Sequence, residues 1–121
     1  MVDNETTLGE QLAGWGKVAL LETRGRRSGR VTRTAVGFIE TADGSLLVAA
    51  GSERADWVRN LRSEPRCTAT VGERTAAYVA EPLEGDERAA ALSGLILKYG
   101  TPAERLGHGP VFRLRSEPAV G

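Results

Sequence analysis

The 121-residue sequence contains a single cysteine, Cys67, and a single histidine, His108. One cysteine excludes a disulfide within the chain, and the two residues supply fewer ligands than the roughly three or four that zinc sites use. Cys67 lies in the pattern Cys-Thr-Ala-Thr-Val, which is typical of a strand. We therefore predict no metal site and expect Cys67 to be buried as a small apolar residue.

Long hydrophobic runs and an excess of charge of one sign are also missing. The most apolar stretch, residues 45–50, is far too short to span a bilayer. No basic and apolar signal segment follows Met1. We therefore predict a cytoplasmic protein with no transmembrane segment, while peripheral contact with a membrane stays open.

The composition argues against a nucleic-acid partner. The 16 basic and 16 acidic residues cancel, and aromatic residues make up only 5% of the chain. Binding to RNA or DNA usually requires a basic excess, and single strands are held by aromatic stacking. A small barrel that binds nucleic acid through its arginines is thus the least favoured hypothesis, and salt-dependent retention on heparin would support it.

The length fits one domain over residues 1–121, with a core at about 17–115 and a loose tail after it. Two or three helices are predicted. Leu8, Leu12 and Trp15 have helical spacing, Ser52 is a candidate N-cap for a second helix, and Asp86 is one for a third. About six strands are predicted by β-rich runs at residues 18–23, 32–40, 45–50, 66–71, 75–81 and 111–115.

Turn residues between the predicted strands indicate an antiparallel, mainly β fold with flanking helices. Asp43-Gly44 is a hairpin signal, and a turn at Gly72 separates two further strands. Strands and helices do not alternate regularly, which disfavours a parallel sheet. Six short strands around one core are best accommodated by a small closed or split β-barrel, because closure removes exposed edges.

An arginine-rich stretch is the clearest candidate site. Residues 24–33 contain five arginines and no acid. Gly25 and Gly29 permit a tight turn, from which Arg26, Arg27 and Ser28 would point outward. Guanidinium groups match the oxygens of phosphates and carboxylates. From these residues alone, an anion site and a solvated charged loop are equally weighted hypotheses.

A second candidate is the small-residue run Val-Ala-Ala-Gly-Ser at 48–52, which leads towards Trp57 and Asn60. Small residues at a strand end allow a flat ring to approach the backbone, although an ordinary strand-to-helix turn is the simpler interpretation. The sequence shows no acid–base pair and no activated nucleophile. If the protein is an enzyme, a cofactor must therefore supply the chemistry.

The order of these motifs resembles the deazaflavin-dependent nitroreductase and quinone reductase family. The resemblance lies in Leu-Glu-Thr-Arg-Gly-Arg-Arg-Ser-Gly at 21–29, Leu-Val-Ala-Ala-Gly-Ser at 47–52, Asp-Trp-x-x-Asn-Leu at 56–61 and Glu-Pro-Arg-Cys-Thr-Ala-Thr-Val at 64–71. It covers residues 17–115, and it implies a split β-barrel similar to the FMN-binding split barrels.

The resemblance also implies a function. The family binds coenzyme F-420, an 8-hydroxy-5-deazaflavin of actinobacteria and some archaea, and FMN is the alternative cofactor. The expected activity is hydride transfer from the reduced deazaflavin to a small electron-poor acceptor such as a quinone, an enone or a nitroaromatic. The alternative is a non-catalytic protein of the same fold that binds a flat ligand. The expected assembly is a monomer or a homodimer.

Site residues follow from the matched positions. The resemblance places the anionic tail of the cofactor at Arg26, Arg27, Ser28 and Gly29, with Arg33 on the same side. It places the ring beside Ala35, Val36, Ala49, Ala50, Gly51 and Ser52, with Trp57 and Asn60 bracing that wall. Ser52 is the candidate catalytic residue, because its hydroxyl could position the acceptor or supply a proton.

Overall fold

The computed structural model describes residues 17–100 and 109–117. The predicted helix around Leu12 and the lone His108 lie outside these ranges. The described residues form strands and two helices in the order β1 (Ala19–Arg24), β2 (Val31–Val36), β3 (Phe38–Glu40), β4 (Leu46–Ala49), α1 (Asp56–Ser63), β5 (Arg66–Val71), β6 (Arg74–Leu83), α2 (Gly85–Tyr99) and β7 (Val111–Ser116).

These seven strands form one antiparallel sheet, in the order β2-β1-β5-β6-β7-β4-β3. Its edge strands, β2 and β3, are separated in the chain by Gly37 alone. The sheet must therefore curl back on itself until its two edges meet. The long strand β6 pairs with β5 through its first half and with β7 through its second half. The mainly β, split-barrel prediction is confirmed.

The prediction of one strand over residues 32–40 is wrong, because the chain bends at Gly37 and the described sheet has seven strands. A Cβ at Gly37 would lie only 3.1 Å from a ring carbon of Tyr99. The Phe38 N–H donates to the Tyr99 hydroxyl at 3.0 Å, and this hydroxyl donates to the Lys17 carbonyl at 2.8 Å. The end of α2 thus packs into the bend, across a sequence separation that no local pattern reveals.

Among the described residues, two apolar clusters hold the fold together. Side chains alternate along a strand, so every second residue faces the barrel interior. The interior cluster includes Leu21, Val48, Ala69, Phe112 and Leu114, together with Val58 and Leu61 of α1. A second cluster packs α2 on the outside of the barrel through Ala49, Leu83, Ala91, Leu95 and Val111. Strand β4 contributes to both clusters, which confirms that it is buried on both faces.

Both predicted N-caps, Ser52 and Asp86, are wrong by two or three residues, whereas the predicted start of the later helix at residues 85–86 is confirmed. Helix α1 begins at Asp56 after the N-cap Ala55, because the Ser52 hydroxyl instead accepts the Arg54 N–H at 3.0 Å and closes a turn before the helix. Helix α2 begins at Gly85 after the N-cap Glu84. Strand β6 extends to Leu83, so the helix follows immediately, and the predicted cap Asp86 lies within the first turn.

Candidate functional site

The arginine loop, residues 25–30, joins β1 to β2 and has a defined shape. The Gly25 N–H donates to the Arg30 carbonyl at 2.7 Å, and the Gly29 N–H donates to the Gly25 carbonyl at 2.9 Å. Gly29 has a φ of 73°, which other residues adopt only with strain. The Ser28 hydroxyl accepts the Arg30 N–H at 3.1 Å. Internal hydrogen bonds and one left-handed glycine therefore define the turn within this loop.

Asn60 of α1 fastens the arginine loop to the barrel. Its side-chain oxygen accepts hydrogen bonds from the Arg26 N–H at 3.3 Å and from the Arg26 guanidinium at 3.0 Å. Its amide nitrogen donates to the Thr23 hydroxyl at 3.1 Å and to the Thr32 hydroxyl at 3.3 Å. The residue is only 2% exposed. This buried amide has partners for both its acceptor and its donors, as buried polar groups require.

The positive charges of this region are unequally available. The Arg26 guanidinium contacts Asp56 at 3.4 Å as well as Asn60, and Arg33 pairs with Glu22 at 3.1 Å. Arg27 is exposed and has no hydrogen bond or ion pair within residues 17–100 and 109–117. Of the three arginines that the resemblance places at the site, Arg27 is thus the one whose charge is most open to a ligand, and Arg30 of the same loop is exposed as well. A shallow cavity of about 170 Å³ adjoins it, lined by Gly25, Arg26, Arg27, Ser28, Thr32, Asp56 and Asn60.

The turn after β4 is built from close backbone packing. Ala49 and Ala50 are buried, whereas Gly51 and Ser52 are exposed. The Ala50 N–H donates to the Pro110 carbonyl at 3.0 Å. A Cβ on Gly109 would overlap the Ala50 carbonyl and lie 2.7 Å from the Ser52 nitrogen. The segment before β7 therefore packs against the buried side of the turn, and Gly51 and Ser52 lie on the surface.

The arginine loop and the turn after β4 border one region. Ser52 precedes Asp56 by four residues, so their Cα atoms lie within about 14 Å of each other. Asp56 is in turn paired with Arg26 of the loop. Next to it, Trp57 packs on Phe112 of β7, with ring centroids 6.1 Å apart at 59°. An elongated ligand that contacts both segments would pass over the start of α1.

Ala35 and Val36 do not face the same way. Successive side chains of a strand point to opposite faces. Val36 is 7% exposed and belongs to the interior cluster, whereas Ala35 is exposed on the outer side of β2. A ligand outside the barrel could therefore contact the side chain of Ala35 but not that of Val36.

Cys67 is buried in β5, as expected from its strand pattern. Burial raises the pKa of its thiol to about 12, which leaves it protonated and unreactive at neutral pH. Within the described parts of the chain, no group of three or more His, Cys, Asp or Glu residues could hold a metal ion.

The buried Cys67 thiol should resist alkylation in the folded protein. We expect iodoacetamide at pH 8 to leave Cys67 unlabelled over a period that labels the urea-unfolded chain completely, with mass spectrometry as the measurement. The raised pKa also means that this residue favours the folded state at neutral pH and ceases to do so as the pH rises from about 9 towards 12. Rapid labelling of the native protein would contradict this burial.

These features define a small split-barrel protein with an arginine-rich loop beside a surface turn of small residues. Comparison with known proteins identifies the family. The sequence profile of the F420H(2)-dependent quinone reductase family matches residues 1–101. The chain belongs to this family, and it is an oxidoreductase that depends on reduced coenzyme F-420. The predicted enzyme class and deazaflavin cofactor are confirmed, and FMN remains the secondary alternative. No curated protein matches the chain.

Solved structures confirm the fold. An F420-H2-dependent reductase, FDR-A, is 23% identical, with a TM-score of 0.71 over 82% of this chain and 94% of that chain. A domain-swapped dimer is 20% identical, with a TM-score of 0.70 over 91% and 96% of the two chains. The heme storage protein HutZ from Vibrio cholerae is 21% identical, with a TM-score of 0.70 over 97% and 91%. At these identities the likeness concerns the fold alone.

Neither helix of the described residues has the length and apolar character needed to cross a membrane.

Proposed function

We propose that the protein passes a hydride from reduced coenzyme F-420 to a small electron-poor acceptor, namely a quinone, an enone or a nitroaromatic. The proposal is carried by one juxtaposition: the guanidinium of Arg27, which has no partner among the described residues, lies in the loop that Asn60 fastens beside the start of α1. The exposed turn at Gly51 and Ser52 leads into the same helix. The cofactor supplies the hydride, and the protein binds, orients and shields the reactants.

The donors of the arginine loop fit the tail of this cofactor. That tail carries a phosphodiester and several carboxylates, and guanidinium and hydroxyl groups are suited to both. Arg27 and Ser28 are exposed, and Gly29 has open space where a side chain would be. Arg26 and Arg33 add positive charge nearby, although each already has an acidic partner. We assign direct contact with the tail to Arg27, Ser28 and the loop backbone.

The turn after β4 fits the ring of the cofactor. Nothing lies within 4 Å of a Cβ placed on Gly51, so the backbone there is open to a flat group. Ala49 and Ala50 would contribute backbone atoms, since their side chains are buried. Ala35 offers the small exposed side chain of β2. Trp57 braces the wall from α1 through its contact with Phe112, whereas Asn60, which the resemblance also places at this wall, contacts the arginine loop instead.

Ser52 is the candidate catalytic residue for the acceptor. Its Oγ accepts the Arg54 N–H at 3.0 Å, so an oxygen lone pair is used and the hydroxyl proton is left to donate. A hydroxyl in this state can stabilise negative charge that develops on a quinone or nitro oxygen. It can then supply a proton to the reduced product, or solvent can do so.

Cofactor choice tests the proposal. We expect the protein to bind coenzyme F-420 at least about tenfold more tightly than FMN, because the longer tail offers more anionic groups to the arginine loop. Fluorescence titration of both cofactors in the same low-salt buffer measures this. Anaerobic turnover of a quinone should require reduced F-420 and continue in the presence of a metal chelator.

Two outcomes would contradict the proposal. Equal or tighter binding of FMN would reverse the cofactor assignment. Binding of F-420 with no turnover of quinone, enone or nitroaromatic acceptors would support the non-catalytic alternative instead.

Location and assembly belong to the same proposal. A cytoplasmic location suits an enzyme that uses a soluble cofactor. Peripheral contact with a membrane is the alternative, and it would suit an apolar acceptor. Of the two expected assemblies, the homodimer is supported by the matching structure that is a domain-swapped dimer. Size-exclusion chromatography coupled to multi-angle light scattering of the purified protein distinguishes it from the monomer.

A further inference from the structure

Two neighbouring arginines of the loop have different surroundings. The Arg26 guanidinium lies 3.0 Å from the Asn60 oxygen and 3.4 Å from Asp56, and its side chain is only 26% exposed. Arg27 is exposed and has no partner in the parts of the chain that the structure describes. Adjacent residues of one chemical type therefore divide into one that holds the loop and one that faces outward.

Asn60 connects four pieces of the chain through one buried amide. From α1 it contacts the loop at Arg26, the end of β1 at Thr23 and the start of β2 at Thr32. Its acceptor side meets the two Arg26 donors, and its donor side meets two hydroxyls. An apolar residue of the same length would leave the Arg26 N–H without its partner, whereas the Arg26 guanidinium would keep Asp56 and the Thr23 and Thr32 hydroxyls would keep each other at 3.1 Å. The contact is thus specific to an amide at this position.

We propose that Asn60 is a positioning residue for cofactor binding. By holding the backbone and the guanidinium of Arg26, it keeps the arginine loop in one conformation and presents Arg27 and Ser28 to the anionic tail. This inference rests on the proposed function, in which the loop receives that tail. A preorganised loop binds more tightly because its conformational entropy is lost during folding and not during binding.

Asn60→Leu tests the proposal directly. The KM and Kd for reduced F-420 should rise about tenfold or more, whereas kcat at saturating cofactor should stay near the wild-type value, because Asn60 does not contact the reacting atoms. The Arg26 amide should lose its protection against hydrogen exchange, which NMR detects without any cofactor present.

A milder change guards against loss of folding. Thr32→Val removes one of the two hydroxyls that accept from Asn60, on an edge strand that tolerates a β-branched residue. We expect the Kd for F-420 to rise severalfold. The matched control is Thr70→Val, because the Thr70 hydroxyl pairs with Thr75 at 2.9 Å on the β5–β6 hairpin. This control should bind the cofactor like the wild type.

Asn60→Asp serves as the conservative variant. Its carboxylate can still accept from both Arg26 donors, and the two threonine hydroxyls can turn to donate to it. Protection of the Arg26 amide should therefore return, while the added negative charge keeps cofactor binding weaker than in the wild type. If protection is absent in this variant as it is in Asn60→Leu, the hydrogen-bonding role assigned to Asn60 is wrong.

Arg27→Ala separates this inference from the proposed function. We expect it to weaken F-420 binding, to reduce the salt dependence of that binding and to leave the melting temperature unchanged. If Arg27→Ala weakens binding but Asn60→Leu does not, the inference is overturned and the proposed function stands. If a variant that carries both Arg27→Ala and Arg30→Ala binds F-420 like the wild type, the tail does not lie on this loop, and both assignments fail.

Discussion

Gly109→Ala is expected to lower the free energy of unfolding by about 3 kcal/mol, within the upper range for forcing an extra group into a packed site. The new Cβ would overlap the Ala50 carbonyl and crowd the Ser52 nitrogen. These are backbone atoms, so no side-chain rotation can relieve the contact. Arg88 further fixes the segment by donating to the Gly109 carbonyl at 2.9 Å. Urea denaturation measures the change.

The Gly109 variant should also impair function. To admit the Cβ, the turn at Gly51 and Ser52 must move, and this turn is where we place the ring of the cofactor. We therefore expect a raised KM for reduced F-420 in whatever fraction remains folded. Gly51→Ala is the matched control for stability, because its Cβ meets nothing within 4 Å. A Gly109→Ala protein as stable as Gly51→Ala would show that the close packing is not needed.

Ser52→Ala is expected to slow turnover by about ten- to a thousandfold, the range spanned by the loss of one positioned donor or proton source. Ser52→Val should slow it further, because two methyl groups would crowd the ring as well as removing the hydroxyl. Stopped-flow measurement of hydride transfer to a quinone, with saturating reduced F-420, isolates the effect on the chemical step from the effect on binding.

Two variants serve as controls for the Ser52 series. Cys67→Ala and His108→Ala should retain nearly full turnover per folded molecule, since the Cys67 thiol is buried and protonated and no step is assigned to His108. If either variant abolished turnover while the fold stayed intact, side-chain chemistry would carry the reaction. The assignment of the catalytic role to Ser52 would then be wrong.

Local chemistry explains which parts of the fold could be predicted. Asp43-Gly44 forms the predicted hairpin between β3 and β4: Gly44 has a φ of 86°, and the Asp43 carboxylate accepts the Ser45 N–H at 3.0 Å. The turn at Gly72, with a φ of 62°, joins β5 to β6 in the same way. Such turns are decided by residues adjacent in sequence, so their positions could be predicted without a tertiary structure.

Long-range contacts explain what could not be predicted. The bend at Gly37 depends on the ring of Tyr99, which approaches from the end of α2. Helix α1 begins at Asp56, later than predicted, because the Ser52 hydroxyl accepts a hydrogen bond in the turn before the helix and does not cap it. In each case a pattern allowed two local structures, and a contact or competing hydrogen bond selected between them.

The candidate site also has features that the sequence predicts and features that only long-range contacts decide. The sequence alone indicated the arginine loop, the small-residue turn and the family, because motif identity and order survive without coordinates. From the sequence, Arg26 and Arg27 have the same expected role, and Val36 is expected to lie beside the ring of the cofactor. Only the tertiary structure shows that Arg26 binds Asn60, which lies 34 residues further along the chain. It also shows that Arg27 is exposed and that the side chain of Val36 is buried in the interior cluster. Residue type determines which interactions a side chain can make, whereas the packing of distant elements decides which of them it makes.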